Sequence, residues 1–212
     1  MIVNTVLNVV RSLILLISVI PFYGLQNQSE EDISLMEFRS GHVTKYSSYG
    51  LDKSRGLKAH IKYPKSWDSI EGERPHIIRK FAQPGGTVLA IVQIIPFDFE
   101  STKDEIDQFF ENEFRVLYPS DYQIISVDNN MKIEGLRSGA IEYKRSSLRS
   151  NQSIYSHNLD FVTIYKSYQL SVLFMVTDKL GESKKSVDAR FDKLEPLFMQ
   201  MINSIVIDNV WE

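Results

Sequence analysis

Side chains able to do chemistry near neutral pH are few in this chain: it has four histidines and no cysteine. His42, His60, His76 and His157 stand singly. None forms the i, i+4 pair that aims two imidazoles at one zinc from a helix, and none has a carboxylate at ligand spacing along the chain. His60 and His157 fall in stretches of strand character beside polar neighbours and read as solvated or half-buried histidines. The lack of cysteine removes disulfides, thiolate metal sites and thiol nucleophiles together. Gly135-Leu136-Arg137-Ser138-Gly139 places a serine between glycines. It lacks the spacing of a nucleophile elbow and the helix that must follow one, so it reads as the entry to a strand.

Two charged clusters and one aromatic pair complete the candidates. Asp104, Glu105, Asp107, Glu111 and Glu113 crowd one short segment. Several carboxylates could hold a hard cation. As a solvated helix face, with Asp104 and Glu105 beside the helix N-terminus, they need none, and that reading is adopted. Lys184, Lys185, Arg190 and Lys193 form a basic face that suits either an anionic membrane surface or plain water, and water is the simpler reading. Tyr63 and Trp67 are the candidate binding residues. An exposed tryptophan marks a contact surface, whereas a buried one plugs the end of a sheet. No metal and no cofactor is expected. The chain carries 24 Lys and Arg against 27 Asp and Glu, net −3, which argues against a nucleic-acid partner.

The elements that must position these residues follow from the hydrophobic periods. A short strand is expected around 43–49, followed by a turn region from Gly50 to Gly56. Leu57, Ala59, Ile61 and Tyr63 alternate with polar residues as a strand with one wet face, closed by Pro64. Strands over 76–82 and 87–95 flank the turn Pro84-Gly85-Gly86. The second is apolar on both faces and therefore belongs in the middle of a sheet. Thr102 and Glu105 fit a capping box, and Ile106, Phe109, Phe110, Phe114 and Leu117 make one helical stripe. Four more strands follow, over 122–127, 137–145, 154–165 and 168–176, with a turn at Asp128-Asn129-Asn130. A helix over about 183–203 presents Val187, Phe191, Leu194, Phe198 and Met201, with a kink or restart expected at Pro196. A short strand over 204–207 ends the chain. Two strands dry on both faces, 87–95 and 168–176, and two amphipathic helices, whose stripes are expected one over each face of the strand at 87–95, predict an α+β fold: a three-layer α/β/α sandwich around an antiparallel sheet.

The first residues give the address. Arg11 is the only charge from Met1 to Leu25, and Leu13 to Phe22 is almost unbroken hydrocarbon. Residues 1–24 therefore read as a signal peptide or, uncleaved, as a membrane anchor. Residues 25–56 read as a polar linker with one short strand, and 57–212 as a globular domain. The expected location is outside the cytoplasm: periplasmic or secreted, or held at the inner membrane.

Two short motifs carry a family resemblance. Ile61-Lys62-Tyr63-Pro64-Lys65-Ser66-Trp67 resembles the strand-and-turn entry of PsbP-like domains, and Met201-Ile202-Asn203-Ser204-Ile205-Val206-Ile207 resembles their helix-to-strand ending. The order of elements between them is similar too. That family includes a thylakoid-lumen photosystem subunit, a nuclear Ran-binding protein and bacterial envelope proteins. The resemblance implies the same three-layer sandwich, shared without a common active site. No family binding residue maps onto this chain, and the cysteine of its lipoprotein members is missing. The function expected is an exported, non-catalytic binding or assembly module with a protein partner in the envelope, touching membrane only through residues 1–24. The alternative is an exported enzyme, such as a hydrolase, with dispersed active-site residues. Mass spectrometry of the native protein should find its N-terminus between about residues 22 and 30. An intact Met1 in a cytosolic fraction contradicts export.

Overall fold

A computed structural model describes residues 29–149, 152–179 and 181–212, so the segment read as signal or anchor lies outside the described residues. The order is α1 (Glu30–Arg39), β1 (Val43–Ser47), β2 (Ala59–Pro64), β3 (Asp68–Glu71), β4 (Ile77–Ala82), β5 (Val88–Pro96) and α2 (Lys103–Gln108). Then come β6 (Gln123–Ile133), β7 (Leu136–Arg149), β8 (Gln152–Tyr165), β9 (Tyr168–Thr177), α3 (Lys184–Asn203) and β10 (Val206–Ile207). They build two antiparallel sheets, one of seven strands ordered β3-β4-β5-β9-β8-β7-β6 and one of three ordered β1-β2-β10. The chain is thus of α+β class.

β5 and β9, read from sequence as dry on both faces, sit side by side in the middle of the large sheet. Val88, Ala90, Val92 and Ile94 of β5 and Leu170, Val172, Phe174 and Val176 of β9 are at most 4% exposed. They pack in one core with Val187, Phe191, Leu194, Phe198 and Met201 of α3. Phe174 and Phe198 stack with ring centres 4.7 Å apart. Pro196 forces no restart, and one helix runs through it. Leu197, Phe198, Met201 and Ile202 beyond it are fully buried, and their packing outweighs the one hydrogen bond that proline removes.

The opposite face is covered only in part. The capping box at Thr102 and Glu105 starts α2 as expected. The segment continues through a π-turn (Phe109–Glu113) and a 3-10 turn (Phe114–Leu117). Its stripe was expected over β5. Instead Phe110 and Phe114 pack on Ile141 and Tyr143 of β7 and Val162 and Ile164 of β8. Topology gives the reason: the chain leaves β5 in mid-sheet and must reach β6 at the edge, so the connection crosses β8 and β7. Gly139 of β7 makes room, since a Cβ there would lie 2.6 Å from Phe114 Cε1. Leu89, Ile91 and Met175, on this same face, are half-buried and join neither core cluster.

Two local expectations need correction, and one edge strand was not foreseen. The stretch read as an aperiodic polar linker holds α1, capped by Ser29. Its most buried residues are Glu31 and Ser34, so no apolar period announces it. Asp128-Asn129-Asn130 is no turn but a bulge within β6. The chain reverses instead at Glu134 and Gly135, both at positive φ (52° and 78°), as a two-residue hairpin of primed type requires. Edge strand β3 is exposed throughout and leaves no pattern to read.

Ile91 and Val92 point to opposite faces of β5. Val92→Ala should cost about 2 kcal/mol in a denaturant melt, because Val92 is 4% exposed inside the core. Ile91→Ala should cost under about 1 kcal/mol. Equal, large losses contradict the half-open face.

Candidate functional site

Both residues singled out for binding are buried. Tyr63 is 7% exposed and stacks on Phe81 with ring centres 4.1 Å apart. Trp67 is 3% exposed, and its indole N–H donates to Ser34 Oγ of α1 at 2.9 Å. Ser34 Oγ also accepts from Gln83 Nε2 at 3.1 Å. Of the two readings of Trp67, the plug at the sheet end matches this placement. A partner reaches either side chain only after α1 has left.

His157 is where the sequence misled most. It is 2% exposed, and Phe191 of α3 lies flat on its ring at 3.7 Å. Its Nε2 is 2.8 Å from Glu142 Oε1, and its Nδ1 is 3.0 Å from Asp188 Oδ1, though without hydrogen-bond alignment. Asp188 also accepts from Lys144 Nζ and Tyr155 Oη, each at 2.9 Å. Burial pushes the Asp188 carboxyl up; hydrogen bonds from Lys144 and Tyr155, with the nearby positive charge, outweigh it and hold the group below its ordinary value. A histidine with no carboxylate near it in sequence thus has two in space. Only the hairpin register, which sets Lys144 opposite His157 and Glu142 opposite Leu159, could have found them. With both nitrogens faced by carboxylates and the ring under Phe191, the cluster fastens α3 to the sheet and leaves no room for a substrate.

The charged helix faces are largely exposed, and several of their members pair within the fold. Arg190 bonds Glu182, Thr177 O and Thr87 Oγ1, while Lys193 pairs with Asp32 at 2.7 Å. Of the acidic cluster, Glu105 closes the capping box, and Asp107 and Glu111 meet Arg137 Nη1 at 2.7 and 3.3 Å. Among the described residues no three His, Asp or Glu groups are placed to hold a metal ion.

Arg137 stands in an open cleft of about 820 Å³ between α2 and the β6–β7 hairpin. Two backbone irregularities meet there. The π-turn carries Phe110, whose carbonyl accepts from Asn129 Nδ2 of the β6 bulge at 3.1 Å. Both kinds of irregularity gather at functional sites. Lys103, Asn130 and Lys132 complete a polar rim over an apolar floor of Ile106, Leu136 and Ile164. The buried Nε of Arg137 has no partner among the described residues.

A second unsatisfied site lies on the same face of the sheet. Asp160 of β8 accepts from Tyr118 Oη at 2.8 Å through Oδ2, while its Oδ1 is closed off from solvent and unpartnered among the described residues. Two residues back on the same face, Asn158 is fully buried, and its Oδ1 is likewise unpartnered. Tyr143 lies close, its ring 5.4 Å from Tyr118 and 4.9 Å from Tyr122. Burial pushes the Asp160 carboxyl up to about 6 against the opposing pull of the Tyr118 hydrogen bond. Burial and the Asp160 charge push the Tyr118 hydroxyl above the usual phenol range.

No family model matches the chain, and no curated protein matches it in sequence. Among solved structures it is similar to the Ran-binding protein Mog1p of Saccharomyces cerevisiae, at 10% identity over 78% of this chain and 95% of that one, with a TM-score of 0.48. It is similar to LpqN, involved in cell envelope biogenesis of Mycobacterium tuberculosis, at 11% identity over 82% of this chain and 96% of that one, TM-score 0.44. A Bacteroides thetaiotaomicron protein matches at 16% identity over 70% of this chain, TM-score 0.39, and the chain spans 44% of its length. No helix of the described residues is long and apolar enough to cross a membrane.

A carboxyl whose folded value is raised above its ordinary 3.8 favours folding only while protonated. Its contribution is complete below pH 3.8 and is lost as pH rises through about 6. Asp160→Asn, neutral at every pH, should therefore stabilise the protein at pH 7.5 by on the order of 2 kcal/mol. Thermal melts should show that gap closing by about pH 4. A variant less stable than the parent at pH 7.5 contradicts the assignment.

Proposed function

We propose that this chain is an exported, non-catalytic binding or assembly module of the cell envelope, and that the cleft around Arg137 is where it binds. The cleft itself carries the reading. It is the meeting point of a π-turn and a β-bulge, it presents the cationic groups of Lys103, Lys132 and Arg137 over an apolar floor, and among the described residues its lining includes no hydroxyl, thiol or imidazole nucleophile. Export is supported by the apolar start of the chain, whose single charge in the first 25 residues is Arg11. The finer reading of the fold belongs to the same proposal. The α2 segment serves as a partial outer layer and α3 as the other, and the motifs ending at Trp67 and Ile207 support a PsbP-like reading of the chain.

The test is capture from the native envelope by the tagged chain and by a variant with a filled, charge-reversed cleft. Asn130→Trp with Lys132→Glu changes two exposed residues and should leave the melting temperature nearly unchanged. An envelope protein held by the parent and depleted at least about tenfold with the variant, a difference of about 1.4 kcal/mol, is the expected result. Equal capture by both removes the cleft from the proposal.

A further inference from the structure

The register of the large sheet defines one transverse row on the face away from α3: Ile70, Lys80, Ile91, Leu173, Asp160 and Ile141, from β3 across to β7. Directly opposed residues of antiparallel strands share a face, so these side chains all point the same way. At the β7 end Ile141 is fully buried under Phe110 and Phe114. At the β3 end Ile70 is 47% exposed. Leu173, next to Asp160 in the row, still packs against the Phe110 and Phe114 cluster, and the half-open part of the face begins beyond it at Ile91.

The neighbouring row runs Ala82, Leu89, Met175, Asn158 and Tyr143. Leu89 and Met175 are half-buried there, while Asn158 is sealed. Two rows therefore run from a half-open apolar strip into a polar socket. The socket holds two acceptor oxygens without a partner among the described residues, Asp160 Oδ1 and Asn158 Oδ1. One is a carboxylate, and the other stands about 7 Å along the strand. Buried acceptors cost stability unless a donor meets them. A carboxylate kept where an amide would fold better answers to a demand outside folding.

The geometry points to this half-open face of β4, β5 and β9 as a docking surface for an extended segment of a partner protein that alternates apolar side chains and inserts one lysine beside Asp160. The complementarity is specific. A primary ammonium brings three donors and a full positive charge on a compact head. Ile91 lies two strands from Asp160, about 10 Å, so a lysine stem can bridge from a segment resting on Leu89, Ile91 and Met175. A small free amine would satisfy the socket and leave that strip uncovered. The surface is separate from the Arg137 cleft and does not depend on it.

The probe is a random linear peptide library displayed on phage, selected on the full chain and, in parallel, on Asp160→Asn and Ile91→Glu variants. Selection on the parent should enrich a lysine flanked at alternate positions by apolar residues. The synthetic consensus should bind about tenfold to a hundredfold more weakly when its lysine is acetylated, as the loss of a charge-assisted hydrogen bond implies. Asp160→Asn should bind the two peptide forms alike. Ile91→Glu should bind neither. Because Asp160→Asn is expected to be the more stable protein, its loss of selectivity cannot be laid to misfolding. Four results overturn the inference: no enrichment, a consensus without lysine, lysine selectivity that survives Asp160→Asn, or displacement of the peptide by n-butylammonium at the same concentration. Concentration-dependent dimerisation of the parent that Ile91→Glu abolishes assigns the face to a second copy and overturns it as well.

Discussion

A seven-stranded antiparallel sheet has two faces to keep from water, and the described residues hold one long helix to cover them. That mismatch governs the rest of the molecule. α3 spends its apolar stripe on β8 and β9 and, beside them, on β2 and α1. The second face must make do with the crossing from β5 to β6. This crossing widens into a π-turn where Phe110 and Phe114 enter, and it packs on β7 and β8 with Leu173 of β9 at its margin. Cover on that face therefore stops in mid-sheet, and a polar residue, Asp160, stands next to Leu173 at that margin.

The same constraint accounts for where irregularity and polarity collect. To admit two phenylalanine rings, β7 carries a glycine at position 139 and β6 bulges at Asn129, whose amide holds the π-turn. The cleft around Arg137 is the by-product of that fit. On the α3 side the packing is closed, and the polar groups there stand against partners, with His157 Nδ1 facing Asp188 out of hydrogen-bond alignment. His157 lies between Glu142 and Asp188, and Arg190 is held by Glu182 and two threonines. Buried pairs of that kind fix one arrangement of helix on sheet more than they add stability. On the other side the pairs are incomplete, and an incomplete pair in a half-open place is a site.

Much of this was legible in the residues and some was not. The hairpin of β4 and β5, the central placing of β5 and β9, the Thr102 capping box and the stripe of α3 all follow from period and turn chemistry. α1 was not legible, because it buries Glu31 and Ser34 and shows no apolar repeat. The turn proposed at Asp128-Asn129-Asn130 failed because residues that favour turns also suit a bulge. The cover of β5 was misplaced because a helix stripe says how wide its buried face is and never which strands it meets. Asp160 was missed for a related reason. A single acid among Leu159, Phe161 and Val162 looks like an outward-facing strand position, and only strand order shows that its face is half closed.

The half-open face is the claim on which the account turns, and the absence of cysteine makes it directly measurable. Single cysteines at Leu89 and Met175 report the face away from α3, and single cysteines at Val88 and Val176 report the closed core. Thiol labelling of the four variants under native conditions compares the faces strand by strand. The account predicts that Leu89→Cys and Met175→Cys react at rates near that of a free thiol, while Val88→Cys and Val176→Cys react only as fast as the whole protein unfolds. Equal protection at all four positions would show the second face to be as closed as the first, and would contradict it.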